Sequence, residues 1–269
     1  MILDRLTTLG HEQRMALFRL LVRRYPDKVP AGELAAALGL KASTLSVYLS
    51  ALRRVGLVRQ FRQGTSVLYR AELGAGEEMI AYLFRDCCRG RPEICPPGLP
   101  FDSSAPKKRK QNVLFICRGN STRSIFAEAI LRSAPGDRFR VFSAGSRPRD
   151  GVNPIAEDIL KSRGHETAAL RAKSLKEFQG DAAPEMDFVF TVCDQAANED
   201  CPAWKGQPLY AHWGVAPPSR ENRNLTEKRH DFERAFEQID NRVSAFIDLP
   251  LETLGRTVLQ QRLDDISRL

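Results

Sequence analysis

The chain has 269 residues, which suggests about two domains at roughly 100–200 residues each. Hydrophobic residues make up 42%, enough for ordinary cores, and no apolar run approaches the ~20 residues a membrane span needs. The net charge of +8 is unevenly placed: residues 1–110 hold 19 Lys/Arg against 10 Asp/Glu, a net of +9, and the remainder holds 22 against 23, a net of −1. Four of the basic residues form the run Lys107-Lys108-Arg109-Lys110, the pattern of a solvated linker. The other fifteen are spread through a folded-looking segment, which fits a nucleic-acid partner. Met1-Ile2-Leu3-Asp4-Arg5 carries no basic stretch followed by an apolar one, so no signal peptide and a cytoplasmic setting are expected.

The first elements are helical. Residues about 4–25 carry Leu6, Leu9, Met15, Leu17, Phe18 and Leu21 near a 3.6 period. A short helix over about 31–38 ends near Gly39, and another over about 42–55 is stopped by Gly56. Leu57–Arg62, a turn at Gln63-Gly64 and Ser66–Arg70 read as a β-hairpin. A last helix runs from about Glu77 towards Cys87. This order is that of a winged helix-turn-helix, an α+β unit.

Residues 96–110 are rich in Pro, Ser and Lys without a period and read as a linker. Beyond it the pattern becomes a short apolar run at 113–116, a helix at about 123–133 and a strand at 139–144. A helix at about 154–163, a strand at 188–192 and a long helix at about 226–247 follow. Alternating strand and helix predict a doubly wound α/β domain with a parallel sheet. The expected organisation is therefore multidomain: residues 1–95, a linker at 96–110, and residues 111–269.

All six cysteines fall into two constellations: Cys87, Cys88 and Cys95 before the linker, and Cys117, Cys193 and Cys201 after it. In a reducing compartment such clusters point to metal binding or catalysis. Cys117-x5-Arg123-Ser124 lies between a buried-type strand and a helix. There, the backbone N–H groups of Arg118, Gly119, Asn120, Ser121, Thr122 and Arg123 would converge on an anion at a helix N-terminus. Cys117 would be the nucleophile. Arg123 would grip two oxygens bidentately, Ser124 would donate to the thiolate, and Asn120 would brace the turn.

The run Val113-Leu114-Phe115-Ile116-Cys117-x-Gly119-Asn120-Ser121-x-Arg123-Ser124-x-x-Ala127-Glu128-Ala129 resembles the active-site segment of the low-molecular-weight tyrosine phosphatases. It is still more similar to the arsenate reductases that share their fold. Ser143-Ala144-Gly145 with Val152-Asn153-Pro154, Lys173-Ser174-Leu175 and His212-Trp213-Gly214 support the reductase branch. The resemblance implies that Cys117 attacks arsenate, that Cys193 then attacks the Cys117 sulfur, and that Cys201 closes a Cys193–Cys201 disulfide reopened by thioredoxin or a similar dithiol. No tightly bound cofactor is implied. The general acid of this family, an Asp before a Pro after His-Trp-Gly, is missing: Pro217 holds its place and Ala216 precedes it. That loss opens two further readings, a non-catalytic oxyanion sensor and a tyrosine phosphatase. The phosphatase needs neither Cys193 nor Cys201 and would suffer more from the missing acid.

Residues about 4–86 resemble the ArsR-type winged-helix repressors, through Leu34–Leu40, Ser43–Arg53 and Gly56-Leu57-Val58. Periodicity turns Leu45, Leu49 and Leu52 inward, leaving Lys41, Ser43, Thr44, Ser46, Val47 and Tyr48 for the major groove of operator DNA. Arg59, Arg62 and Arg70 on the hairpin would meet phosphate. The resemblance implies a homodimer paired through the first and last helices. It also implies a sensor in which Cys87, Cys88 and Cys95 bind trivalent arsenic or antimony. Three thiolates suit that pyramidal ion, whereas zinc normally takes four ligands.

Overall fold

A computed structural model describes residues 2–83, 109–180, 182–199, 204, 208–218 and 224–269. The chain divides into two compact units, Met1–Ser104 and Ala105–Leu269. Cys87, Cys88, Cys95, Cys201 and most of the expected linker lie outside the described residues.

The first unit runs α1 (Ile2–Leu9), α2 (Glu12–Arg23), β1 (Val29–Pro30), α3 (Ala31–Leu38), α4 (Ala42–Arg54), β2 (Val58–Gln63), β3 (Ser66–Ala71) and α5 (Leu73–Tyr82). The single helix expected over 4–25 is two helices. The Gly10 N–H closes α1 onto the Leu6 carbonyl at 2.8 Å, and His11 is extended at the start of α2. Met15, placed inward by periodicity, is 37% exposed, whereas Arg5 is buried. Arg5 donates to the Val55 and Ala75 carbonyls and pairs with Glu78, tying α1 to the end of α4 and to α5. Gly39 caps α3 in the left-handed region at φ 62°, a conformation that glycine adopts without penalty, and the chain turns into α4. Leu45, Leu49 and Leu52 are buried as the period requires, against Leu17, Leu20, Leu21 and Leu34. The hairpin gains a third strand that its two residues of sequence did not announce: β1 pairs antiparallel with β3, Val29 opposite Tyr69.

The second unit holds β4 (Gln111–Cys117), α6 (Arg123–Arg132), β5 (Phe139–Gly145), α7 (Pro154–Ser162), β6 (Phe188–Thr191), α8 (Asp194–Asn198), β7 (Leu209–His212), α9 (Leu225–Ile247) and α10 (Arg256–Ile266). Its sheet is parallel throughout, in the order β5-β4-β6-β7. Val113 to Ile116 are wholly buried, as expected for a central parallel strand covered on both faces. Phe190 and Trp213 stack at 3.9 Å, Phe115 and Phe246 lie against them, and the Trp213 indole donates to the Leu263 carbonyl. Three elements were not expected from the sequence pattern, the five-residue α8 among them. β7 is a four-residue strand bounded by irregular chain, and α10 buries Leu259, Leu263 and Ile266 at helical spacing. Among the described residues, no single helix is long and apolar enough to cross a membrane.

Candidate functional site

The parallel register delivers Cys117 to the carboxyl end of β4, opposite Gly145 of β5. This is where open α/β sheets bind ligands. The loop from Arg118 to Thr122 then turns into the N-terminus of α6. Asn120 sits at φ 42°, a left-handed conformation that its short amide tolerates better than most side chains. Its backbone N–H points at the Cys117 sulfur at 3.1 Å. Its side-chain amide donates to Ser124 Oγ at 2.8 Å and to Ser143 Oγ at 2.7 Å, and its carbonyl accepts from the Lys173 N–H at 2.7 Å. Ser124 Oγ lies 3.0 Å from the Cys117 sulfur. Because Ser124 already accepts from Asn120, its own hydrogen is left to donate to the Cys117 sulfur.

The network continues inward. Ser143 Oγ donates to Glu128 Oε2, and Lys173 Nζ donates to the same oxygen at 2.8 Å and to the Arg171 carbonyl at 3.1 Å. Arg132 pairs with the other Glu128 oxygen at 2.5 Å, one turn along α6. Lys173, Glu128, Ser143, Asn120, Ser124 and Cys117 are all buried. A continuous relay therefore runs from an internal ion pair to the sulfur, with each member holding the next. Buried polar networks of this kind fix an arrangement through their satisfied groups, and here only Glu128 Oε1 lacks a hydrogen bond and rests on the Arg132 ion pair.

The chain beyond β5 binds the loop from its other side. The N–H groups of Ser146, Arg147, Arg149 and Asn153 donate to the carbonyls of Cys117, Arg118, Gly119 and Ser121 at 2.8 to 3.2 Å. With its carbonyls held outward, the loop is free to aim N–H groups at an anion. Gly145 permits this approach. A Cβ there would sit 2.7 Å from the Arg118 carbonyl oxygen and 3.1 Å from the Asn120 nitrogen.

Cys193 is the second buried thiol, at the N-cap of α8, where it accepts from the Ala196 N–H at 3.4 Å. Burial pushes its pKa above the ordinary thiol value; nearby Arg123 opposes the rise and Cys117 adds to it. Arg123 opens α6 half-buried and donates to the Val215 carbonyl at 2.7 Å, joining the loop to the stretch after β7. That stretch follows His212, the last residue of β7, which is buried between Thr191 Oγ1 at 2.8 Å and Asp194 Oδ1 at 3.1 Å. It continues through Ala216 and Pro217, both exposed. Beside them Asp231 of α9 lines a small cavity with Ala216, Pro217, Pro218 and Arg234.

The sequence named Cys117, Arg118, Gly119, Asn120, Ser121, Thr122, Arg123, Ser124 and Cys193, and these gather at one end of the sheet. It did not single out Glu128, Lys173 or Val215, nor Ser143 as a site residue. Glu128 carried a signal: a carboxylate amid Ile125-Phe126-Ala127 and Ala129-Ile130-Leu131, all buried, needs a partner of opposite charge.

In the first unit, Lys41, Ser43, Ser46 and Val47 stand exposed on α4, with Val47 at 66%. Thr44 and Tyr48 are half-buried, and Tyr48 donates to Gln13 and packs against the His11 ring at a tilt of 51°. Arg59 and Arg62 are exposed on the hairpin, whereas Arg70 is half-buried and pairs with Glu72 at 3.2 Å. Lys28, Arg59 and Arg70 surround the Phe61 ring at 4.5, 5.7 and 5.3 Å.

A cysteine-bearing anion loop between strand and helix, on a four-stranded parallel sheet, defines a phosphatase-type α/β domain. Residues 112–260 match the low molecular weight phosphotyrosine protein phosphatase family, and the chain belongs to it. Ahead of that domain, residues 9–60 match a helix-turn-helix domain. Curated relatives within the family include arsenate reductases. That of Bacillus subtilis (strain 168) is 32% identical over 136 residues, covering 51% of this chain and 94% of that protein. That of Halalkalibacterium halodurans is 31% identical over 139 residues, covering 52% and 96%. Among solved structures, the arsenate reductase from Archaeoglobus fulgidus DSM 4304 aligns with a TM-score of 0.42 at 24% identity, covering 51% of this chain and 99% of that one.

Proposed function

We infer that residues 111–269 reduce arsenate to arsenite by a thiol relay, and that residues 1–95 form a DNA-binding repressor responsive to the product. The observation that carries the first part is the Cys117 sulfur held by Ser124 and the Asn120 N–H in a loop otherwise built for an anion, with buried Cys193 close to Arg123. Arsenate enters the loop and is held by the N–H groups of residues 118–123. The Cys117 thiolate attacks As(V) and water leaves, forming a sulfur–arsenic bond. Cys193 loses its proton and attacks the Cys117 sulfur. The sulfur–arsenic bond breaks with its electron pair going to arsenic, arsenite departs, and a Cys117–Cys193 disulfide remains. Cys201 attacks Cys193, freeing Cys117, and an external dithiol such as thioredoxin reduces the Cys193–Cys201 bond. The chemistry suits a cytoplasmic setting, where thiols stay reduced.

Pro217 favours a second reading, in which the loop binds oxyanions without turning over. A missing general acid typically costs about 10²–10⁴-fold. Thiolysis of arsenate expels water or hydroxide, which needs that proton less than an alkoxide does, so slow reduction with negligible phosphatase activity is expected. A turnover assay with arsenate, thioredoxin and its reductase, beside a para-nitrophenyl phosphate assay, decides between the readings. Rapid ester hydrolysis without arsenate reduction would overturn ours.

For the repressor half, α5 buries none of its own residues, and Leu3, Leu73 and Ile80 are exposed at 66%, 39% and 45%. Such apolar surface on the first and last helices supports a homodimer. Operator DNA would lie along α4 and the hairpin. Arsenite or antimonite would bridge Cys87, Cys88 and Cys95 and release the DNA. Fluorescence anisotropy with added arsenite tests this: Cys95→Ser should stay bound where the wild type is released.

A further inference from the structure

We propose that Arg242 of α9 is a positioning residue: acting through the turn at 213–215, it fixes the edge that Arg123 presents to a bound oxyanion. The inference rests on the reading of the loop as an oxyanion site and adds to it a residue from outside the loop.

Arg123 Nη1 donates to the Val215 carbonyl at 2.7 Å, a bond that spans 92 positions. One nitrogen of the planar fork is thereby committed. The guanidinium cannot turn about its long axis without breaking that bond, so its remaining N–H groups face one way. Bidentate recognition depends on this setting, because two donors must meet two oxygens together. The direction of the Arg123 fork is therefore decided by whatever holds Val215.

Four groups of contacts hold the chain there. The Trp213 N–H donates to the Thr191 carbonyl at 2.8 Å, and the Val215 N–H donates to the Val192 carbonyl at 3.3 Å. The Trp213 indole donates to the Leu263 carbonyl of α10 at 3.1 Å. Arg242 supplies the fourth. Its Nη1 donates to the Trp213 carbonyl at 3.2 Å and to the Gly214 carbonyl at 3.1 Å, and its Nη2 donates to the Ser267 carbonyl at 3.3 Å, just past α10. Of the four, Arg242 alone takes the Gly214 carbonyl, which shares a peptide plane with the Val215 N–H. The turn has little room to slide: a Cβ on Gly214 would lie 2.6 Å from Asp194 Oδ1 and 2.7 Å from His212 Nε2. It is pressed against the stretch that carries Cys193 and clamped by Arg242.

Arg242 is only 8% exposed, and Val243 and Phe246 beside it in α9 are wholly buried. Taking a guanidinium out of water is costly. Packing alone would be met by an apolar side chain such as its neighbour's. A buried fork whose donors go to three main-chain carbonyls sets the path of the chain.

The test uses the full chain with Arg242→Met, Arg242→Lys and Ile266→Ala. Ile266 is buried on α10 and takes no part in the bonds at 213–215, so its variant loosens the same helix and leaves the turn alone. Sulfate affinity by calorimetry, and KM and kcat for arsenate, are read at a temperature where circular dichroism shows every variant folded. Arg242→Met should weaken sulfate binding about tenfold, since a remote change that misplaces a group by about 1 Å costs up to about 10²-fold. KM for arsenate should rise more than kcat falls. Arg242→Lys should recover most of the affinity, because an ammonium still donates to the turn's carbonyls. Ile266→Ala should bind sulfate as the wild type does while unfolding more easily. Arg123→Lys/Arg242→Met should bind no worse than Arg123→Lys alone, because the fork that Arg242 sets is already gone. If Arg242→Met does not fold, Arg242→Gln, which keeps one amide donor group, takes its place and should lose affinity in the same direction. Equal losses in Arg242→Met and Ile266→Ala would mean that Arg242 only stabilises the fold, and would overturn the proposal. Fully additive losses in the double variant would do the same. A wild type that binds no sulfate removes the oxyanion reading and this inference with it, whereas sulfate binding that survives Arg242→Met removes the inference alone.

Discussion

The anion loop and the DNA-facing surface are built on opposite principles. Around Cys117 the polar side chains are buried and partnered. Asn120 alone makes three side-chain bonds, and the chain of contacts ends in the Lys173–Glu128 pair. On the first unit Lys41, Arg59 and Arg62 stand in solvent, and the hairpin register sets Arg59 directly opposite the half-buried Arg70. Like charges in directly opposed strand positions are destabilising. Ring contacts with Phe61 and the Arg70–Glu72 pair act against that repulsion. The loop is thus organised before any ligand arrives, while the hairpin holds charge in reserve for a polyanion. Changes in the loop should act through stability and chemistry together, and changes on the hairpin through affinity and salt alone.

The largest effect expected is at the nucleophile. Cys117→Ser should abolish arsenate reduction while leaving sulfate binding within a few-fold, since the loop N–H groups remain. Cys193→Ser should stop after one adduct, with one equivalent of arsenic held per chain, because nothing then attacks the Cys117 sulfur. Mass spectrometry of single-turnover mixtures reads both. Repeated turnover by Cys193→Ser would sink the relay.

Next comes the internal ion pair. Lys173→Met leaves Glu128 buried with its main partner gone, a change that costs about 3 kcal/mol or more when a buried charge loses its mate. Urea unfolding of the full chain should show the loss in the transition of the second unit, and anion binding should weaken with it, because Glu128 braces Asn120 through Ser143, although the Lys173 N–H bond to Asn120 is kept. Adding Glu128→Gln to Lys173→Met should recover part of the stability. A loss below about 1 kcal/mol would mean that water or Arg132 already satisfies Glu128. On the first unit, Arg59→Ala and Arg62→Ala should leave stability nearly unchanged. Each should flatten the log–log salt dependence of DNA binding by about 0.9, the contribution of one phosphate contact. A flat salt response in the wild type would remove the DNA reading.

The contrast also explains what could be read from the chain. Leu45, Leu49 and Leu52, and the strand–loop–helix around Cys117, were legible because short-range periodicity and spacing specify them. The relay behind Cys117 was less so, because its members come from three separate stretches at 120–128, 143 and 173 that only the parallel sheet brings together. The break at Gly10 was overlooked because the apolar period runs on through it. β7 is hidden because Leu209-Tyr210-Ala211-His212 forms no apolar run such as marks the equally short β6, and the Arg123–Val215 bond because it spans 92 positions.

The smallest effect expected is a pH dependence of stability at Asp264 of α10. Burial pushes its carboxyl up to about 6; the Gln260 amide and Arg268 pull it down, and Asp265 adds to the rise. The folded state therefore holds this proton more tightly than the unfolded chain, whose carboxyl titrates near the ordinary value of 3.8. Stability from this group is fully present below about pH 4 and is lost as pH rises through about 6. Two pKa units set a ceiling of about 3 kcal/mol, and partial solvent access reduces it to about 1–2 kcal/mol. Asp264→Asn keeps the shape and removes the titration. The variant should gain about 1–2 kcal/mol over the wild type at pH 8 and nothing at pH 4, seen as a Tm rise of about 2–4 °C per kcal/mol. Equal melting temperatures for the two proteins at pH 8 would mean that Gln260 and Arg268 already neutralise the cost of burying this carboxylate.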